Sequence, residues 1–209
     1  MATTAKENIL KRIRKALSNP VPLPFPKSEG NSDVYVQHNE EPIVVFAEEF
    51  TKLQGSFAFC ANQQELELQL NNLTIEKNWT KVYCIEDALQ ATLRAINIKN
   101  YNDLPSCEVS VTSCELLVAR TGSIVLSTAQ QSGRTASVYA PIHICIAYTD
   151  QLVYDVKEAL QKMKDKHGNN FPSFTTFASG PSRTADIEKT LVTGVHGPKE
   201  VFCFLVDSN

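Results

Sequence analysis

No run in this 209-residue chain approaches the ~20 consecutive apolar residues that a membrane-spanning helix needs. The N-terminus has no apolar core of the kind a secretory signal carries. The six cysteines (Cys60, Cys84, Cys107, Cys114, Cys145 and Cys203) form no Cys-x-x-Cys pair. That argues against a zinc knuckle, a ferredoxin-type cluster or a thioredoxin-like site. Four scattered histidines give no His-Glu-x-x-His spacing, so no metal site is expected. Ser123, Ser127 and Ser132 lack a Gly-x-Ser-x-Gly elbow, which argues against a serine hydrolase. There is no Walker sequence and no strand-GxGxxG-helix, so neither a P-loop nor a Rossmann dinucleotide site is expected. Buried free thiols in a reducing cytoplasm account best for the cysteines.

Charge of the two signs is nearly balanced overall but unevenly placed. Net charge is −3. Residues 1–27 carry Lys6, Lys11, Arg12, Arg14, Lys15 and Lys27 against Glu7, a net +5, which leaves −8 for the remainder. An acidic body makes a nucleic-acid partner improbable outside the basic segment. Hydrophobic residues at 43% and charged residues at 21% allow a sizeable core.

Residues 6–18 read as an amphipathic helix, with Ile9, Leu10, Ile13, Ala16 and Leu17 on one face and the basic residues on the other. Alternating prolines from Pro20 to Pro26 stop it and impose a stiff, extended segment. Residues 1–27 therefore form an arm on a domain of residues 28–209. Packing on protein is the commonest fate of such an arm. An anionic membrane fits less well, because the apolar face is short and has no Trp or Phe.

From residue 42 the chain alternates: a helix near 42–54, a strand at 56–60, a helix at 63–73 capped by Asn62 with Glu65, a strand at 81–85 and a helix at 86–97. This is the rhythm of a parallel, doubly covered sheet. Further strands are expected at 108–112, 123–127, 142–148, 174–178 and 201–206. One helix is expected within 152–166 and a short one over 183–191. In that short helix Glu188 and Thr184 would share one flank, while Asp186 and Arg183 would pair on the other.

The stretch from Ser179 to Pro198 concentrates Gly180, Gly194 and Gly197 around Arg183, Asp186, Glu188 and His196. Such turns suit backbone that approaches a ligand closely. The alternative is a capped helix with a surface ion pair.

Three blocks resemble the LUD domain, which defines lactate-utilisation proteins B and C. The first is Leu117-Val118-Ala119-Arg120-Thr121-Gly122-Ser123-Ile124-Val125-Leu126, followed by Ser132-Gly133-Arg134 and Pro141-Ile142-His143-Ile144. The second is Gly180-Pro181-Ser182-Arg183-Thr184-Ala185-Asp186-Ile187-Glu188. The third is Val192-Thr193-Gly194-Val195-His196-Gly197-Pro198. The opening Ile9-Leu10-Lys11-Arg12-Ile13 is similar to that of the C-type member. The resemblance implies an α/β fold like that of NagB, RpiA and CoA transferases, an open sheet covered by helices. It also implies a role in oxidising L-lactate to pyruvate with iron–sulfur partner subunits. The B-type member carries cluster cysteines that this chain lacks, so it is identified as C-type, with no cofactor of its own. Arg120 departs from the resemblance, because many relatives carry an acid there. A guanidinium in that place turns a base or cation partner into an anion binder.

Ligands of open α/β sheets sit beyond the carboxyl ends of the strands, and the three glycine turns are expected there. Turn amides from Thr121, Gly122, Ser123, Gly180 and Ser182 would favour a small carboxylate or phosphate, clamped by Arg134 and Arg183. Glu188 and His196 are the candidate acid–base groups. For each arginine a surface ion pair is the alternative, and for His196 a hydrogen bond to loop backbone. His143, in an apolar strand, reads as a satisfied core histidine. His38 and His167 carry no signal. The expected role is a cluster-free subunit of a cytoplasmic lactate-oxidising system. The alternatives are a stand-alone enzyme of the same fold, such as a sugar-phosphate isomerase or 5-formyltetrahydrofolate cyclo-ligase, and a non-catalytic scaffold.

Overall fold

The structure is a computed structural model that describes residues 5–18, 40–187 and 190–208. The proline-rich segment, the 27/28 boundary, His38 and Glu188 lie outside the described residues. The chain divides into two compact units, residues 1–39 and 40–209.

The first unit contains α1 (Ala5–Leu17). Its apolar stripe is exposed, with Ile9 at 58% and Ile13 at 49%. Ser18 closes it, donating its hydroxyl to the Lys15 carbonyl at 2.8 Å.

The second unit is built on a five-stranded, all-parallel sheet. Its strands are β1 (Ser56–Cys60), β2 (Val82–Tyr83), β3 (Val109–Thr112), β6 (Ile142–Tyr148) and β11 (Glu200–Val206), in the order β1-β11-β6-β3-β2. Strand alternation divides its side chains between two cores. Ile144 and Ile146 of β6, with Phe204 and Val206 of β11, meet Leu66 and Leu70 of α3 (Gln63–Glu76) and Leu89 and Leu93 of α4 (Asp87–Ala95). Asn62 caps α3 as the sequence suggests, its Oδ1 accepting the Glu65 N–H at 3.0 Å. Glu65 reaches back one residue further than a capping box, to the Ala61 N–H at 2.8 Å.

The opposite face differs from the expected pair of helical layers. Cys145, Ala147, Cys203 and Leu205 pack on Val45, Phe46 and Phe50 of α2 (Pro42–Lys52) and on Leu117, Ile124 and Leu126. The last three belong to a second sheet, ordered β7-β4-β5-β8. Its strands are β4 (Leu116–Val118), β5 (Ser123–Ser127), β7 (Leu152–Val153) and β8 (Thr175–Ala178). Its outer face, with Leu116, Val118 and Val125, is covered by Ala159 and Met163 of α6 (Val156–His167). Both faces of β4 and β5 are buried, which erases the alternation that would have marked a separate sheet.

The helix expected over 183–191 is not formed. Arg183–Ile187 (β9) and Thr190–Thr193 (β10) instead pair antiparallel, Arg183 opposite Thr193 and Ile187 opposite Thr190. Threonine, isoleucine and valine favour a strand over a helix, and the flanking glycines suit a hairpin base as well as helix caps. A strand repeats every two residues, so the helical spacing that set Glu188 beside Thr184 does not apply.

Candidate functional site

The predicted residues fall into two groups and one outlier. The first group surrounds the one-turn 3-10 helix Ala119–Thr121 between β4 and β5. Gly122 has φ +53°, and a Cβ there would stand 2.4 Å from the Phe50 nitrogen. Gly180, at φ +100°, would place a Cβ 2.7 Å from the Leu53 carbonyl oxygen. Both glycines therefore let this end of the second sheet lie directly on the backbone of α2 and of Leu53, the residue that ends it. Between them the Ser123 hydroxyl, in a buried residue, lies 2.8 Å from Thr121 Oγ1 and 2.6 Å from Ser179 Oγ. The hydroxyls of Thr121 and Ser123 are hydrogen-bonded within the protein.

The second group is the base of the β9–β10 hairpin. Gly194 N–H donates to the Ser182 carbonyl at 2.9 Å, and Ser182 N–H donates to the Pro198 carbonyl at 2.9 Å. A Cβ on Gly197 would meet Ser182 Cβ at 3.0 Å and Val138 Cγ1 at 3.9 Å. The second and third sequence blocks thus meet through the Ser182 backbone and the Gly194–Pro198 turn, with Arg183 and His196 exposed. Val138 belongs to the short helix α5 (Ala136–Tyr139). Arg134 is the outlier, exposed in the turn before α5. Among the described residues no carboxylate forms an ion pair with Arg134 or Arg183.

The hairpin base occupies a different edge from the one expected. Lys199 N–H donates to the Pro141 carbonyl at 2.7 Å, and these residues immediately precede β11 and β6. The group lies at the amino ends of those strands, not beyond their carboxyl ends.

The carboxyl ends hold a buried polar network that sequence reasoning missed. Glu115, 3% exposed, accepts Ser127 Oγ at 2.6 Å and Lys166 Nζ at 2.7 Å. His167 Nε2 stands 3.3 Å from the same carboxylate. Burial alone would raise the Glu115 pKa, but Lys166, Ser127 and His167 together hold it below the ordinary carboxylate value. Glu86, 8% exposed, accepts the Ser113 N–H at 3.1 Å. Gln130 bridges the two carboxylates' surroundings, donating to Ser113 Oγ at 3.1 Å and accepting the Ser127 N–H at 2.9 Å. An acid set between Cys114 and the apolar Leu116–Val118 was the available signal, since a buried carboxylate must be paired.

His143 is the satisfied core histidine expected. It is 1% exposed, with Nε2 2.8 Å from Thr112 Oγ1. Thr112 gives its one proton to the Ser113 carbonyl at 2.9 Å, so His143 Nε2 is the donor. Burial lowers its pKa to about 4. All six cysteines are buried free thiols. Among the described residues no cluster of His, Cys, Asp or Glu is arranged to hold a metal, and no helix is long and apolar enough to cross a membrane.

An α/β domain with these glycine-built turns is the class of protein the fold defines. The sequence profile of the LUD domain matches residues 43–206, and the chain belongs to that family. A protein of Oceanobacillus iheyensis named Lactate utilization protein C is 33% identical over 102 residues, 48% of this chain and 44% of that protein. The Deinococcus radiodurans protein of the same name is 32% identical over 108 residues, 51% of this chain and 50% of its own length. The chain spans about half the length of the curated relatives it matches. The crystal structure of a DUF162 family protein from Deinococcus radiodurans superposes with a TM-score of 0.61 at 18% identity. That match covers 82% of this chain and 99% of the other, and shows a shared fold.

Proposed function

We propose that this chain is a cluster-free LUD-domain subunit of a system that oxidises L-lactate to pyruvate, working with partner chains that carry iron–sulfur clusters. The observation that carries this reading is the 32–33% identity to relatives named Lactate utilization protein C. The electrons of lactate oxidation need a redox centre, and among the described residues no group of cysteine, histidine or carboxylate side chains is arranged to hold a metal. Its own part is to bind a small carboxylate at the hairpin base. Arg183 supplies a fork of donors for the carboxylate, Ser182 a hydroxyl, and His196 an imidazole as a candidate acid–base group. Arg134, in the turn before α5, keeps its role as a second cation on the sequence resemblance alone. Glu188 keeps its role as candidate acid–base group on the sequence resemblance alone. The wider kinship to the NagB, RpiA and CoA-transferase fold belongs to the same proposal.

The test is affinity capture of the tagged full chain from lactate-grown cells of its source, with iron and acid-labile sulfide measured in the eluate. Co-purifying chains that contain clusters support the reading. Recovery of the chain without iron or sulfide from cells that are oxidising lactate overturns the partner claim.

A further inference from the structure

We infer that β1 is a pairing edge for a second copy of this chain, joining two five-stranded sheets across a two-fold axis at Ala58. β1 ends the sheet, and among the described residues it pairs only with β11. The Cys60 carbonyl accepts Asp207 N–H at 2.8 Å, so the backbone groups of Ser56, Ala58 and Cys60 turn inward. Those of Phe57 and Phe59 then point outward, because successive peptide groups alternate. Of these outward groups, only the Phe59 carbonyl has a partner among the described residues, the Gln69 side chain at 3.2 Å. A carbonyl has a second lone pair to offer.

Edge strands are usually protected by charge, proline or a bulge. The sequence Ser-Phe-Ala-Phe-Cys carries no charge and no proline, and its register with β11 runs without a bulge. Phe59 is 41% exposed. A groove of about 340 Å³ lies between α3 and the face of β1 and β11, lined by Ala58, Leu73, Glu76, Phe202 and Phe204, so α3 does not close tightly over this end of the sheet.

The sequence of the strand selects a copy of itself as occupant. Phe-Ala-Phe is palindromic about Ala58. Antiparallel pairing on that axis sets Phe57 opposite Phe59 of the second copy, twice. These are the hydrogen-bonded positions, and aromatic cross-strand pairs there are favourable. Ala58 would face its own copy at the non-hydrogen-bonded position, where Cα atoms approach to about 4.5 Å and a small side chain fits. No like charges meet along the strand, and the contact is isologous, so it closes at two copies.

The test is light scattering with size-exclusion chromatography on the full chain over a concentration series. The expected result is a mass rising from 23.2 kDa toward about twice that value. F59K, whose side chain is partly exposed, should keep the circular dichroism spectrum and stay at the single-chain mass. A58C should form a disulfide-linked dimer under mild oxidation that the wild-type chain, with its six cysteines buried, does not form. A single-chain mass at every concentration overturns the proposal. So does a dimer that survives F59K and yields no A58C cross-link, since it would use another surface. A strand from a different protein, pairing where the chain alone stays monomeric, also overturns it.

Discussion

Lys166 Nζ lies 2.7 Å from Glu115 Oε2, tying the last turn of α6 to the carboxyl edge of the parallel sheet. The lysine is 61% exposed and the carboxylate 2%, so the pair joins a solvated cation to a buried anion. Ser127 and His167 complete the shell of the carboxylate. Lys166→Met removes the strongest donor and leaves the anion buried. It should destabilise the domain by about 1–3 kcal/mol, the cost of a charge-assisted bond lost from a buried acceptor. The folded-state pKa of Glu115 is depressed, so its contribution is present at neutral pH and lost as pH falls below about 4.5. In Lys166→Met that pKa rises, and the loss should begin at a higher pH. Urea unfolding at a series of pH values measures both effects.

His143 acts on stability in a higher window. Its pKa falls from 6.5 to about 4 on burial. Between those values the unfolded chain binds a proton that the folded chain does not. Stability should therefore decline as pH drops from 6.5 toward 4, by about 3 kcal/mol at the lower limit. His143→Gln keeps a donor for Thr112 and cannot titrate. The variant should show a flatter dependence through that window in thermal melts, and an unchanged slope would show that another group sets it.

Gly122 and Gly180 make a paired prediction. Each lies at positive φ against the α2 backbone, where an added Cβ would come within 2.4 Å and 2.7 Å of main-chain atoms. Backbone cannot swing aside as a side-chain tip can. Gly122→Ala and Gly180→Ala should each cost roughly 2–4 kcal/mol, from left-handed strain and overpacking together. Chemical denaturation gives the values. A loss under 1 kcal/mol in Gly122→Ala would mean that α2 moves freely over the second sheet.

The five-stranded sheet was legible because its signals are local. Asn62 and Glu65 announce α3 from three residues apart. The run Ile142–Tyr148 is nearly all apolar and buried on both faces, as a central parallel strand requires. The second sheet was only partly legible: strands at 123–127 and 174–178 could be named, but not their removal to a separate layer. Residues 183–193 form a hairpin where a helix was expected, since glycines at both ends of a short polar segment frame a helix and a hairpin equally well. The network around Glu115 was invisible for another reason: Ser127 and Lys166 lie 12 and 51 residues from it in sequence, and no local pattern encodes such contacts. The second and third sequence blocks meet through backbone bonds between Ser182, Gly194 and Pro198, and their position at the amino ends of β6 and β11 depends on Lys199 and Pro141.

The central claim is that the hairpin base binds a small carboxylate, and a thermal-shift titration of the purified chain with L-lactate and pyruvate tests it most directly. A ligand that binds only the folded state adds about 2.7 kcal/mol of stability at one hundred times its dissociation constant. The account predicts a rise in Tm that saturates with either acid. That rise should vanish in Arg183→Ala and weaken in His196→Ala, while both variants keep the unliganded Tm of the wild type. An unchanged Tm with both acids, or a rise that Arg183→Ala retains in full, would contradict it.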